Sequence, residues 1–373
     1  MDKTVKKLQL PFFKLKKPYR EIVVSDYDVL EIQGFDFPLL PFVNGKIEIR
    51  DNRNLKKPIS ISDMIFRLES EHEITFSDRE KIDAADFLKY INYYRLSIFI
   101  KYLKDDKSFT ALKKIYEFDS FLSENIGKLI TPLEVYIRTS LAYVLTTEYK
   151  MIIRDLGKQG DDFSPALVYL DKRIYKDKVI KDKSMQETFS YIARDLYDRQ
   201  KSELSLAHHI SHYGGWIPFW VLVEHTTFGQ LGMIIGFLER KVRKRWAEYT
   251  FPGNRVKELV EWINTIRLLR NTSAHCSRFY GRNFTYNPTL NKEDLKLICF
   301  EDEDDAYKVT FKNTLFAGLI TLRALYEQLR EDDKLKWNRF ILEIDSKILK
   351  DKNLSKSDLG FNDQWIDALN IKI

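Results

Sequence analysis

Apolar residues recur at helical spacing along most of the chain beyond Pro58. Ser60-Ile-Ser-Asp63 is a capping-box pattern ahead of Met64, Ile65 and Leu68. Ser77-Asp-Arg-Glu80 is a second one. It predicts a long helical segment holding Phe87, Leu88, Ile91, Tyr94 and Leu96. Leu112, Ile115, Phe118 and Leu122 keep the period. Thr131-Pro-Leu-Glu134 combines an N-cap residue, a first-turn proline and a reciprocal glutamate, which predicts a new helix from there to about Glu148. Residues 151–184 are charged and less periodic, as in an insertion or a loop with short helices. Helical pattern returns from Gln186 to Tyr213, and Tyr213-Gly-Gly-Trp-Ile-Pro218 reads as a loop. Phe219 to Trp246 is helical with a break expected near Gly229–Gly236. Phe251-Pro-Gly-Asn254 is a turn whose Asn254 is placed to cap the helix leading into Arg270. Two more helices are expected over Phe311–Leu329 and Leu335–Leu349. Ahead of Pro58, four prolines punctuate a segment in which Ile22–Val24 suits a small strand.

Composition sharpens this to a mainly α fold with a mixed N-terminal segment. Only 14 Gly and 10 Pro occur in 373 residues, and the abundant Leu, Ile, Lys and Glu favour helices. The expected organisation is a basic N-terminal segment at 1–56, a helical domain at 57–300 and a C-terminal helical extension at 301–373. No apolar run of about 18 residues appears, so no membrane span is expected. The basic N-terminus lacks an apolar signal core. The two cysteines, Cys276 and Cys299, make no disulfide framework and fit a reducing, cytoplasmic location.

The net charge of +6 is modest but unevenly placed. Lys14, Lys16 and Lys17 belong to a basic N-terminal arm, and Arg240, Lys241, Arg243, Lys244 and Arg245 form a second cluster. Glu301–Asp305 is the acidic counterweight. Such asymmetry points to a polyanion partner, RNA above all, bound through its phosphates. The competing reading is a solvated basic surface, or cations paired with the acidic stretch.

The candidate chemistry lies between Arg267 and Arg282. On a continuous helix Asn271, His275, Arg278 and Arg282 would share one polar stripe. An imidazole moves protons near neutral pH, and guanidiniums hold phosphate oxygens. His275 is therefore the candidate base and Arg270 the stabiliser of transition-state charge. Asn271 is placed either to orient the imidazole or to contact phosphate. Arg278 and Arg282 are candidate RNA contacts. His208, His209 and His212 have partly metal-like spacing, but no glutamate completes the set and neither cysteine has a nearby partner. No metal and no other cofactor is expected.

These residues carry a family resemblance. Arg270-Asn-Thr-Ser-Ala-His275 resembles the R-x4-6-H motif of HEPN ribonucleases. The longer stretch to Arg282 is similar to the RNxxAHHxRxxNR signature of the AbiD/AbiF abortive-infection family. Three further blocks agree: Tyr93–Ser97, then Tyr116–Asp119 with Glu134–Arg138, and Pro218–Glu224 with Phe228-Gly229. The resemblance covers roughly residues 57 to 285. Two positions depart from it: Cys276 stands where the family has a second histidine, and Gly281 replaces an asparagine, which is expected to loosen the helix end. The resemblance implies a HEPN-type helical bundle that cuts RNA without metal, leaving a 2′,3′-cyclic phosphate and a 5′-OH. It also implies a composite site built by two copies in a homodimer, and a toxin held in check by a small structured RNA. A second reading, kept open by Cys276, is a non-catalytic RNA-binding HEPN module in a defence system. A third is a helical scaffold whose Arg–His stripe is structural.

Overall fold

The computed structural model describes residues 58–159, 163–251, 255–285, 288–290, 292–297 and 311–373, together with five short strands ahead of them. Lys14, Lys16, Lys17, Asn254, Cys299 and the stretch Glu301–Asp305 lie outside the described residues. The chain divides into two compact units, 1–64 and 65–373. In the first, Lys6–Gln9 (β1), Glu21–Val24 (β2) and Leu30–Ile32 (β3) form an antiparallel sheet in that order. Leu8 lies opposite Ile22, and Ile22 opposite Ile32. Phe42–Val43 (β4) and Lys46–Ile47 (β5) make a two-stranded pair. The strand expected at Ile22–Val24 is thus part of β2.

The second unit is helical. Ile61–Ser70 (α1), which runs across the boundary at residue 64, begins at the reciprocal bonds between Ser60 and Asp63, both 3.1 Å. Asp78–Tyr90 (α2) begins at a capping box between Ser77 and Glu80. The long helix expected from Ser77 through Leu96 is two helices. Ile91 is extended, and Asn92 caps Tyr93–Ser97 (α3) by accepting from the Tyr94 N–H at 2.9 Å.

Phe109–Thr147 (α4), of 39 residues, is the spine of the unit. The break expected at Thr131-Pro132 does not occur. The Thr131 hydroxyl donates back to the Gly127 carbonyl at 3.2 Å, and Pro132 sits inside the helix. Pro132 removes the donor that would meet the Lys128 carbonyl. Packing on both sides outweighs that loss. Leu122, Ile126, Leu133, Ile137, Leu141 and Leu145 are fully buried, each burial worth about 1.5–3 kcal/mol.

The weakly periodic region after α4 consists of Tyr149–Asp155 (α5), two short 3₁₀ turns, and Asp177–Ile180 (α6). Lys183–Arg199 (α7) and Leu204–His212 (α8) follow, and then a loop with Gly214 and Gly215 at positive φ. The segment Phe219–Trp246 resolves into Phe219–His225 (α9), Phe228–Phe237 (α10) and the start of Arg240–Thr250 (α11). Its breaks fall at Thr226-Thr227 and Leu238-Glu239 instead of at the glycines. The Thr227–Gln230 capping box starts α10, and Gly232 lets α10 approach Ile263 closely. Leu259–Ala274 (α12) packs along α4. Lys292–Leu297 (α13) is short. Leu315–Tyr326 (α14), Glu331–Lys350 (α15) and Trp365–Leu369 (α16) close the core around the buried Trp337, whose indole donates to the Leu369 carbonyl at 2.7 Å. Among the described residues, no helix is long and apolar enough to cross a membrane.

Candidate functional site

The α12 face bearing Trp262, Ile263, Ile266, Leu269 and Thr272 is buried, so the helix presents its other side to solvent. It stops at Ala274, with His275 at the C-cap. Cys276 takes the left-handed conformation (φ 47°) that usually calls for glycine. Its N–H bonds the Ser273 carbonyl at 2.9 Å, and the Ser277 N–H bonds the Thr272 carbonyl at 2.8 Å. These two bonds are the Schellman pattern of helix termination. His275 and Cys276 are exposed at the tip. The single stripe expected over Asn271, His275, Arg278 and Arg282 is therefore broken. Only Asn271 and His275 belong to α12 and its cap; Arg278 and Arg282 lie in the returning chain.

That return is tightly held. Asp119 on α4 accepts from the Phe279 and Tyr280 N–H groups at 2.7 and 2.6 Å. Burial pushes its carboxyl up to about 6, against the opposing pull of those two N–H groups and of Arg278 and Arg282. Arg278 donates to the Tyr102 oxygen at 3.0 Å, and the Tyr102 hydroxyl donates to the Gly281 carbonyl at 2.8 Å. Gly281 has φ 61°, and an added Cβ would lie 1.9 Å from the Tyr102 oxygen. Glycine is required there by close packing outside the helix, so the loosened helix end expected from it is not what the residue does. The Tyr280 hydroxyl donates to Asp358 at 2.7 Å. On the other side of the tip, Arg95 of α3 donates to the Cys276 carbonyl at 2.9 Å. Ser273 donates to the Ser123 carbonyl at 2.6 Å, and its hydroxyl fills the space over Gly127.

Arg270 is exposed on α12, with its guanidinium 4.0 Å from Glu134 of α4. Glu134 also accepts from the buried Arg138 at 2.6 Å. Arg138 in turn donates to the carbonyls of Val223 and of Thr226, the latter at 3.0 Å, and so ties α4 to the end of α9. Asn271 is half-buried beside Arg270. Arg95 and Asp119 thus hold the tip and the chain leaving it, while Glu134 meets Arg270 on the body of α12 and Arg138 ties α4 to α9. Motif spacing alone marks none of them as a site residue. All four lie in the sequence blocks noted above, and those blocks meet at or beside the end of α12.

The proposed RNA contacts are scattered. Arg278 and Arg282 are half-buried beside the tip, and Arg282 stacks over Phe284 at 5.2 Å. Arg240, Lys241, Arg243 and Lys244 lie on α11, which meets α4 at Ser140 through the Trp246 indole (3.0 Å). Ser140 is about 25 Å along α4 from Ser123, at 1.5 Å per residue. Lys241 donates to the Asp155 carbonyl at 2.6 Å, and Lys244 lies 3.5 Å from Glu248. Arg245 pairs with Glu148 and Asp155. Burial lowers the pKa of the Arg243 guanidinium. Arg240 is exposed. On α8 the His208 and His212 rings stack 4.5 Å apart, and Ser211 bonds the His212 Nδ1 at 2.8 Å. Among the described residues, no three His, Cys, Asp or Glu side chains gather as a metal site would require.

A family profile described as Abi-like protein matches residues 86–281, just over half of the chain. The match begins within α2 and ends at Gly281, so it contains the α12 tip and the helices that hold it. No curated protein and no solved structure matches the chain at a significant level.

Proposed function

The chain belongs to the Abi-like proteins, an abortive-infection family, and we propose that within this role it is a metal-independent endoribonuclease acting through Arg270, Asn271 and His275. The observation that carries this reading is the exposed His275 at a rigid helix end. The groups around it fix the tip and leave the imidazole open to solvent. In the proposed reaction the RNA 2′-OH attacks the adjacent phosphorus. The 2′-O–P bond forms and the P–O5′ bond breaks, leaving a 2′,3′-cyclic phosphate and a 5′-OH. His275 takes the 2′-OH proton. Arg270 faces the phosphate oxygens as charge builds on them. A second copy of the chain brings a second Arg270–His275 pair, which protonates the leaving 5′-oxygen. A small structured RNA holds the toxin in check. Lys14, Lys16 and Lys17, with the exposed cations of α11, contact its phosphates without reading its sequence.

His275→Ala and Arg270→Ala should each abolish growth arrest on expression, since either role is worth about 10²- to 10⁴-fold in rate. Both side chains are exposed, so the variants should melt within a few degrees of the parent. Growth arrest that persists in folded variants would sink the proposal.

A further inference from the structure

A cleft of about 450 Å³ lies between α4 around Pro132 and α15, over an apolar floor of Leu129, Tyr326 and Phe340. Its walls carry Lys128 from α4 and Arg330, Lys336 and Arg339 from α15 and its N-cap. Two carboxylates, Asp333 and Glu343, share the cleft. Asp333 is buried and already engaged, 3.0 Å from Lys336 and 3.5 Å from Arg330. Lys128 and Arg339 are exposed, and Lys128 meets only the exposed Glu124 in an i,i+4 pair. Such an exposed pair is weak and yields readily to a stronger anion.

The cleft and the α12 tip meet α4 within one turn of each other. Gly127, one residue before Lys128, is where α4 touches Ser273, two residues before His275. Successive positions on a helix are about 100° apart. Lys128 therefore stands on the shoulder of α4 between the α12 side and the cleft side. A polyanion crossing that shoulder passes from the cleft toward the tip.

We propose that this cleft holds phosphates of the same single RNA strand whose scissile bond lies at His275. The proposal rests on the ribonuclease reading and adds a second, more distant phosphate subsite to it. Cations on two walls around a half-open space suit a flexible single strand better than a rigid duplex.

The test uses the full chain carrying His275→Ala, so that RNA stays intact, and a single-stranded RNA of about 12 nucleotides. In that background Lys128→Ala with Arg339→Ala should weaken binding about tenfold. The log–log salt slope should flatten by about 1.4, at about 0.7 for each phosphate that is no longer neutralised. A dinucleotide, too short to reach the cleft, should bind as before. Neither substitution removes a partner of the buried Asp333, so the melting temperature should hold. Arg339→Glu alone, which reverses one exposed charge, should also weaken binding of the longer RNA. Unchanged affinity and salt slope for the longer RNA in both variants would overturn the cleft, whether or not the parent cuts RNA. A parent chain that binds through these cations yet cuts nothing would leave the cleft standing and remove the ribonuclease reading.

Discussion

Asp119 shows how one residue serves the site from beneath. It is 8% exposed and carries no role in the chemistry, yet it holds the chain that returns from His275. Its carboxyl titrates near 6 in the folded chain, against an ordinary 3.8. Between those values the folded state binds the proton more tightly than the unfolded state. The stabilisation from this group is thus full below about pH 4 and lost as pH rises through 6, a swing of about 3 kcal/mol. Asp119→Asn, neutral throughout, should remove that swing. Urea unfolding of parent and variant at pH 4.5 and pH 7 measures it, and parallel pH dependence in the two proteins would show that Asp119 titrates normally. The position is legible in the sequence only as part of a family block. Nothing in Tyr116–Asp119 says that its carboxylate meets two N–H groups 160 residues further on.

At the scale of elements, local signals are legible in the sequence and tertiary ones are not. The boxes at Ser60–Asp63 and Ser77–Glu80 stand out because the bonds that close each box are within three residues, although Glu80 also accepts from Thr110. Thr131-Pro-Leu-Glu134 has the same letters, but Glu134 pairs with Arg138 and Arg270 and the helix runs on. The end of α12 is hidden for a complementary reason, because Cys276 occupies the left-handed position where glycine would have announced a stop. That conformation costs a non-glycine residue about 1 kcal/mol. Cys276→Gly should therefore raise stability by about 0.5–1 kcal/mol without lengthening or shortening α12. A fall in melting temperature would mean that the cysteine side chain makes an interaction worth more than the strain.

For the whole molecule, the mainly helical fold and its mixed N-terminal segment are legible from composition and periodicity. The residues of the candidate site are legible from one motif. The scaffold that aims them is not, because it is assembled from α3, α4, α12 and the chain around Asp358. The charge pattern is the least transparent feature. Several cations of α11 turn to Asp155, Glu148 and Glu248, and the cleft cations of α15 lie in a stretch of ordinary composition. In the proposed reaction His275 cuts RNA by using the RNA's own 2′-OH, which asks no metal to supply the nucleophile. The most direct test is the chemistry of the ends when purified chain is incubated with single-stranded RNA in excess EDTA. The parent should leave 2′,3′-cyclic phosphate and 5′-OH ends, and His275→Ala should leave none. Ends bearing 3′-OH and 5′-phosphate, cutting that stops in EDTA and returns with a divalent ion, or equal cutting by His275→Ala would contradict the proposed reaction.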